Sequence, residues 1–305
     1  DLAAGIELDA LRVDARGAVE RLQLEATTRS ELGALALAGN AERQGEGWRG
    51  TLASLRLAPT RGAAWRLQSP AQFAQRGDNF TLSESCFAAE NGTGALCTSA
   101  DWPRRGVAVN GNGVPLSLLS TYLPERDGGR PWILRGAIDI DGQLRPVGSA
   151  WQGQLAITSA DGGLRNSERS RRDIVGYRDL ALQAEFNPTR LQATLRSAFN
   201  EGGRVDARVA TGWDAFSPLD GELAFDIGEL AWIELFSPDI VEPTGQLTGR
   251  ITLAGTRAEP ALGGQARLSR FRTELPAMAL LLEDGDVRLD ALPDGSARID
   301  GSVRS

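Results

Sequence analysis

The chain contains no histidine, and although 33 of its 305 residues are basic it contains no lysine: every basic residue is arginine. No imidazole base or metal ligand, no Schiff-base amine and no phosphate-loop lysine is therefore available. Large aromatics are also few, with 9 Phe, 7 Trp and 2 Tyr against 36 Gly. That ratio suits many tight turns around thin layers better than one thick core. The formal net charge is -7, which argues against a general nucleic-acid binder, because such a protein needs a basic stripe to neutralise phosphates. The longest apolar run, from Ala277 to Leu282, is too short to cross a bilayer. No leader sequence is visible at Asp1, and the end at Ser305 falls in mid-pattern, so we expect a piece of a longer protein.

What the chain does have is alternation of apolar and polar residues with period two. Leu180, Leu182, Ala184 and Phe186 point one way, and Asp179, Ala181, Gln183 and Glu185 the other. The same beat runs through Leu22/Leu24/Ala26, Ile138/Ile140, Leu191/Ala193/Leu195, Val205/Ala207/Val209, Leu223/Phe225/Ile227 and Val287/Leu289. Side chains on a strand alternate faces, so each segment predicts a ribbon with one apolar and one wet side. Turn signals separate the segments about every 8–12 residues: Gly45-Glu46-Gly47, Arg76 to Asn79, Asp127 to Gly129, Asp161 to Gly163, Asn200 to Gly203, Asp284-Gly285 and Asp294-Gly295. The pattern predicts an all-β array of antiparallel hairpins.

Only two segments carry helix-like spacing, Leu116 to Leu123 and Leu230 to Phe236, and each is followed by a proline, Pro124 or Pro238, that stops a helix. They expose an internal repeat. Leu134 to Gly142 follows the first and Leu247 to Gly255 the second, with Gly136 matching Gly249 and Gly142 matching Gly255 at one common offset. Pro146 and Gly153 answer Pro260 and Gly264. The repeat suggests a segment 1–115, a helix-led repeat 116–229 and a second helix-led repeat 230–305, all in one elongated stacked domain.

Cys86 and Cys97 bracket a strong turn signal at Asn91-Gly92. A hairpin closing there sets them opposite each other. A disulfide over so short a loop contributes about 2–3 kcal/mol and implies an oxidising compartment; two unpaired buried thiols are the alternative. A metal site lacks ligands, since two cysteines without histidine are too few. The cluster Arg165, Arg169, Arg171 and Arg172 reads as a solvated loop or as an anion or lipid-headgroup site.

Recognisable catalytic patterns are missing. Gly92-x-Gly94 and Gly111-x-Gly113 lack the third glycine of the dinucleotide fingerprint. Asp139-Ile140-Asp141-Gly142 brings its glycine too early for a calcium loop. Glu222 and Asp226 are spaced to line a wet strand face, and Ser83, Ser85 and Ser99 have no base. We expect neither an enzyme nor a cofactor.

From Cys86 to Pro124 the chain resembles the TamB family of the AsmA-like superfamily. Cys86, Leu96-Cys97, Trp102, Val114-Pro115-Leu116, Leu118-Leu119 and Tyr122-Leu123-Pro124 carry the likeness. Gly245-x-Leu247-x-Gly249, Ile251, Leu253 and Gly255, then Pro260, Gly263 and Leu275-Pro276, are similar to the family's recurring strand signature. The resemblance implies a Gram-negative envelope protein with an inner-membrane anchor, a long periplasmic β-body and an outer-membrane partner, TamA, reached through regions outside this chain. It also implies outer-membrane biogenesis, by phospholipid movement between membranes or by assembly of outer-membrane proteins.

Lipid passage fits the alternation. Moving an acyl chain into water costs about 0.8 kcal/mol per CH₂, on the order of 12 kcal/mol in all. A sheet curled lengthwise into a U-shaped, taco-like trough, apolar inside, would cover that chain; about twenty strands would make it on the order of 100 Å long. The expected lining is Leu134, Ile138 and Ile140, then Leu155 and Ile157, then Leu180, Leu182 and Phe186, with Leu223, Phe225, Ile251, Leu253 and Leu268 further on. Leu119, Tyr122, Trp232 and Phe236 are the expected apolar anchors of the two helical segments. The alternatives are a closed sandwich core, a passive span without cargo, and a chaperone that adds nascent outer-membrane strands to an open sheet edge.

Overall fold

A computed structural model describes residues 8–18, 20–60, 62–90, 92–123, 132–165, 167–171, 173–200, 202–235, 239–292 and 296–305. Pro124, the Asp127–Gly129 and Asp294-Gly295 turns, Arg172, Phe236 and Pro238 lie wholly or partly outside them, as does the side chain of Tyr122. Among the described residues, nineteen strands form a single antiparallel sheet. The all-β expectation holds. No helix among the described residues is long and apolar enough to cross a membrane.

The chain divides into two compact units, Asp1–Gln154 and Leu155–Ser305, with the boundary inside a strand. The first unit contains β1 (Leu8–Ala18), β2 (Arg21–Ser30), β3 (Gly33–Gln44), β4 (Gly47–Pro59), β5 (Trp65–Leu67), β6 (Ala71–Arg76), β7 (Asn79–Ala89), β8 (Ala95–Trp102), β9 (Gly106–Pro115) and β10 (Ile133–Val147). Successive strands pair as a meander, with β5 and β6 sharing one slot between β4 and β7. Cys86 and Cys97 are direct partners on β7 and β8, their Cα atoms 4.0 Å apart, and they form a disulfide. The register places both on the face opposite Phe87 and Leu96.

β11 (Ala150–Arg165) crosses the boundary. The second unit continues with β12 (Val175–Phe186), β13 (Leu191–Phe199), β14 (Gly203–Thr211), β15 (Leu219–Glu229), β16 (Val241–Gly255), β17 (Pro260–Leu275), β18 (Leu280–Ala291) and β19 (Ala297–Arg304). The two expected helices are short 3₁₀ turns, Leu116–Tyr122 and Ala231–Leu235. Each precedes a 15-residue strand and then a 16-residue one, β10 and β11 in the first case, β16 and β17 in the second.

Two turn signals are not turns. Gly162 and Gly163 lie inside β11, and Asp284-Gly285 lies inside β18. Gly162 and Gly285 make room for side chains from the neighbouring strand. A Cβ at Gly162 would fall 2.2 Å from the Tyr177 hydroxyl, and one at Gly285 would fall 2.9 Å from Cβ of Phe271. The same device recurs where Gly50 faces Phe73 and Gly249 faces Phe225; a Cβ on the latter would sit 2.5 Å from the ring's Cζ. An aromatic ring laid across a glycine on the next strand protects backbone that no second layer covers.

Strands in the second unit also bend in step. Two residues oppose one at Arg178/Ala181 on β12, and again next to the Ile227–Leu247–Leu268–Val287 row on β15, β16, β17 and β18. Asp179, Glu242, Arg270 and Asp284 adopt positive φ at these bulges. Each bulge kinks its strand and increases its twist, so a row of them folds the sheet along a line.

Two outcomes test this account. Gly249→Ala should destabilise the second unit by about 1–3 kcal/mol through overpacking against Phe225. Phe225→Leu in the same chain should recover part of that loss, read as non-additive urea midpoints. Cys86→Ala with Cys97→Ala should lower stability by about 2–3 kcal/mol, with the urea transition as readout.

Candidate functional site

Cross-strand partners in a sheet share a face, so the registers sort every paired residue onto one side or the other. In the second unit one row reads Leu182, Leu195, Ala207, Leu223, Ile251, Gly264, Ala291 and Ala297 from β12 to β19. A neighbouring row reads Ser197, Val205, Phe225, Gly249, Ala266, Leu289 and Ile299. Leu253 and Leu262 extend the face on one side, and Leu247, Leu268 and Val287 on the other. No charged residue occurs in these rows. Seven strand spacings make this face about 34 Å wide across the strands.

The opposite face holds the charge. Arg208 and Arg250 both reach Glu222, at 3.2 and 3.3 Å, Arg196 and Arg204 reach Asp206, and Arg267 reaches Asp286. These pairs are solvent-exposed, so each contributes little to stability. Their effect is to define a wet side. In the first unit Arg56 clasps Glu90 with two hydrogen bonds, Nε to Oε1 at 2.7 Å and Nη2 to Oε2 at 2.9 Å. The hydrogen bond from Arg56 holds the Glu90 carboxyl below the usual carboxylate range.

The first unit repeats the segregation. Phe73, Leu82, Ala100, Val107 and Leu144 form one row, and Phe87, Leu96, Gly111 and Ile140 another, with Val114 and Ile138 paired just beyond. Toward the N-terminal strands, Leu24, Gly39, Leu52 and Ala71 align, as do Leu35, Leu57 and Trp65. Trp102 stacks on Trp151 with ring centroids 4.4 Å apart. No lining residue ahead of Leu134 was expected, although Leu22, Leu24 and Ala26 already displayed the alternation that places this end of the face.

The expected lining residues differ in exposure. Ile138 is buried, and Leu223 is 37% exposed. Leu134, Ile140, Leu155, Ile157, Leu180, Leu182, Phe186, Phe225, Ile251, Leu253 and Leu268 are half-buried. The hydrophobic residues buried outright among the described ones are Ala41, Trp65, Ala71, Val114, Ile138, Ile174 and Leu230. Apolar side chains pack edge to edge within the layer, and their outer surfaces stay open.

The 3₁₀ turns differ at their anchors. Leu118 comes against Gly62, its Cδ2 3.3 Å from where a Cβ would stand. Leu119 is 46% exposed, whereas Trp232 is half-buried beside the fully buried Leu230. Of the arginine cluster, Arg165 binds Asp173 at 2.6 Å, and Arg169 and Arg171 are exposed. That geometry uses Arg165 as half of an ion pair across the β11–β12 connection.

The family model described as TamB, N-terminal domain, matches residues 3–268. No solved structure matches the chain.

An open apolar face should bind a hydrophobic fluorescent dye in buffer without denaturant. Leu223→Asp with Leu253→Asp should cut that binding several-fold while far-UV circular dichroism stays β-like. Unchanged dye binding would show that the face is not the accessible surface.

Proposed function

Because the chain belongs to the TamB family, we propose that its apolar sheet face carries phospholipid acyl chains between the inner and outer membranes. The family has its role in the translocation and assembly module of the cell envelope and acts with TamA. Within that role, this chain is a periplasmic stretch of an inner-membrane-anchored bridge. The face is the floor of a trough, and the strands curl about it.

The observation that carries this reading is the uncharged, half-exposed face running from β12 to β19 in register, with every ion pair named above on the other side or at its margin. A face made for self-packing would be covered, because each Å² of buried apolar area stabilises by about 25 cal/mol. Leaving it open gives up that stabilisation, and an acyl chain laid along it restores it. The aligned bulges in the second unit support curling of the strands about that floor. The disulfide suits an oxidising periplasm.

A photocrosslinking residue at Ile138 or Leu253 tests the proposal in the whole protein in cells. Phospholipid adducts at both positions are the expected result, together with co-purified phospholipid in native mass spectra. Adducts confined to unfolded outer-membrane protein would replace transport with chaperoning by strand addition. No adduct of either kind, with no bound lipid, would sink the reading.

A further inference from the structure

Trp65 breaks the rule of the open face. It stands on β5 between Leu57 of β4 and Ala89 of β7, on the apolar side, and is 5% exposed, whereas Leu57 next to it is 45% exposed. The Leu116–Tyr122 turn reaches the connection just ahead of it, where Leu118 and Ser117 lie against Gly62. Among the described aromatic side chains of β4 to β8, Trp65 is the buried one. Its indole Nε1–H is buried and has no hydrogen-bond partner among the described residues.

An indole N–H only donates, and when buried it ordinarily finds an acceptor. Leaving it unpaired costs more than a typical hydrogen bond returns. The neighbours on its face are Leu35, Leu57, Leu67, Phe87 and Ala89. None is charged, so a phosphate would be desolvated there without a cation and is disfavoured. A neutral acceptor attached to a long apolar body meets both conditions.

We propose that Trp65 is a lipid-binding residue whose indole N–H donates to the ester carbonyl of a glycerolipid lying along the sheet face. The site rests on the acyl-chain reading above and deepens it. It fixes where along the lipid the protein makes its polar contact: at the junction of chain and glycerol. Trp65 acts by hydrogen bonding, and the rest of the face acts by area.

The test uses the delipidated whole chain and two uncharged probes, dioleoylglycerol and its diether analogue, which has the same chains without carbonyls. Trp65→Phe identifies the Trp65 indole N–H resonance by its disappearance and keeps most of the ring. The diester should move that resonance and bind roughly fivefold more tightly than the diether. Trp65→Phe should remove the preference while leaving diether binding unchanged. Trp213→Phe should keep the preference, since the Trp213 indole already donates to the Asn187 carbonyl at 2.7 Å. Equal binding of the two probes with an unmoved Trp65 resonance would overturn the inference, leave the acyl-chain reading standing and assign the donor to water. Binding of neither probe would overturn both.

Discussion

Everything in this molecule follows from having one layer. Among the described residues few apolar side chains are fully buried, so much of the cohesion comes from within the plane of the sheet. Cross-strand pairs supply it: leucine beside isoleucine along the rows of one side, arginine beside acid along the other. Rings lying across glycines add cover over exposed backbone. The disulfide ties two neighbours in the first unit. The cross-strand pairs and the rings over glycines are small singly and are repeated along the chain, whereas the disulfide occurs once.

That constraint connects structure to role. Most folded proteins hide their apolar side chains from water by turning two layers toward each other. Here the chemistry of the two sides is kept separate by register alone, since a slip of one residue would exchange them. The strict alternation is therefore both the folding instruction and the functional surface. Where the sheet departs from it, at the enclosed Trp65, the departure concerns hydrogen bonding and not charge.

The alternation, the hairpins and the cysteine pairing were legible in the sequence because each is local. Leu180-x-Leu182-x-Ala184-x-Phe186 needs no partner to declare its period. Asp161 to Gly163 and Asp284-Gly285 misled because a glycine under a ring and a glycine in a turn look alike until the ring's strand is known. The bulges at Asp179 and Arg270 were illegible, since a non-glycine residue takes positive φ there only in answer to its neighbours. The two helix-like segments were placed correctly but proved to be 3₁₀ turns, too short for side-chain spacing to tell the two apart. Trp65 carries no local sign of burial; its neighbours on the face, Leu57 and Ala89, come from strands paired on either side of it.

The ring-over-glycine pairs also constrain how such a chain changes over generations. Phe225 and Gly249 lie on adjacent strands yet occupy a single volume between them. A lineage can lose the ring first and let the glycine drift afterwards, but gaining a side chain at the glycine first meets a steric barrier. The order of substitution is built into the geometry, and the two positions are inherited as one character.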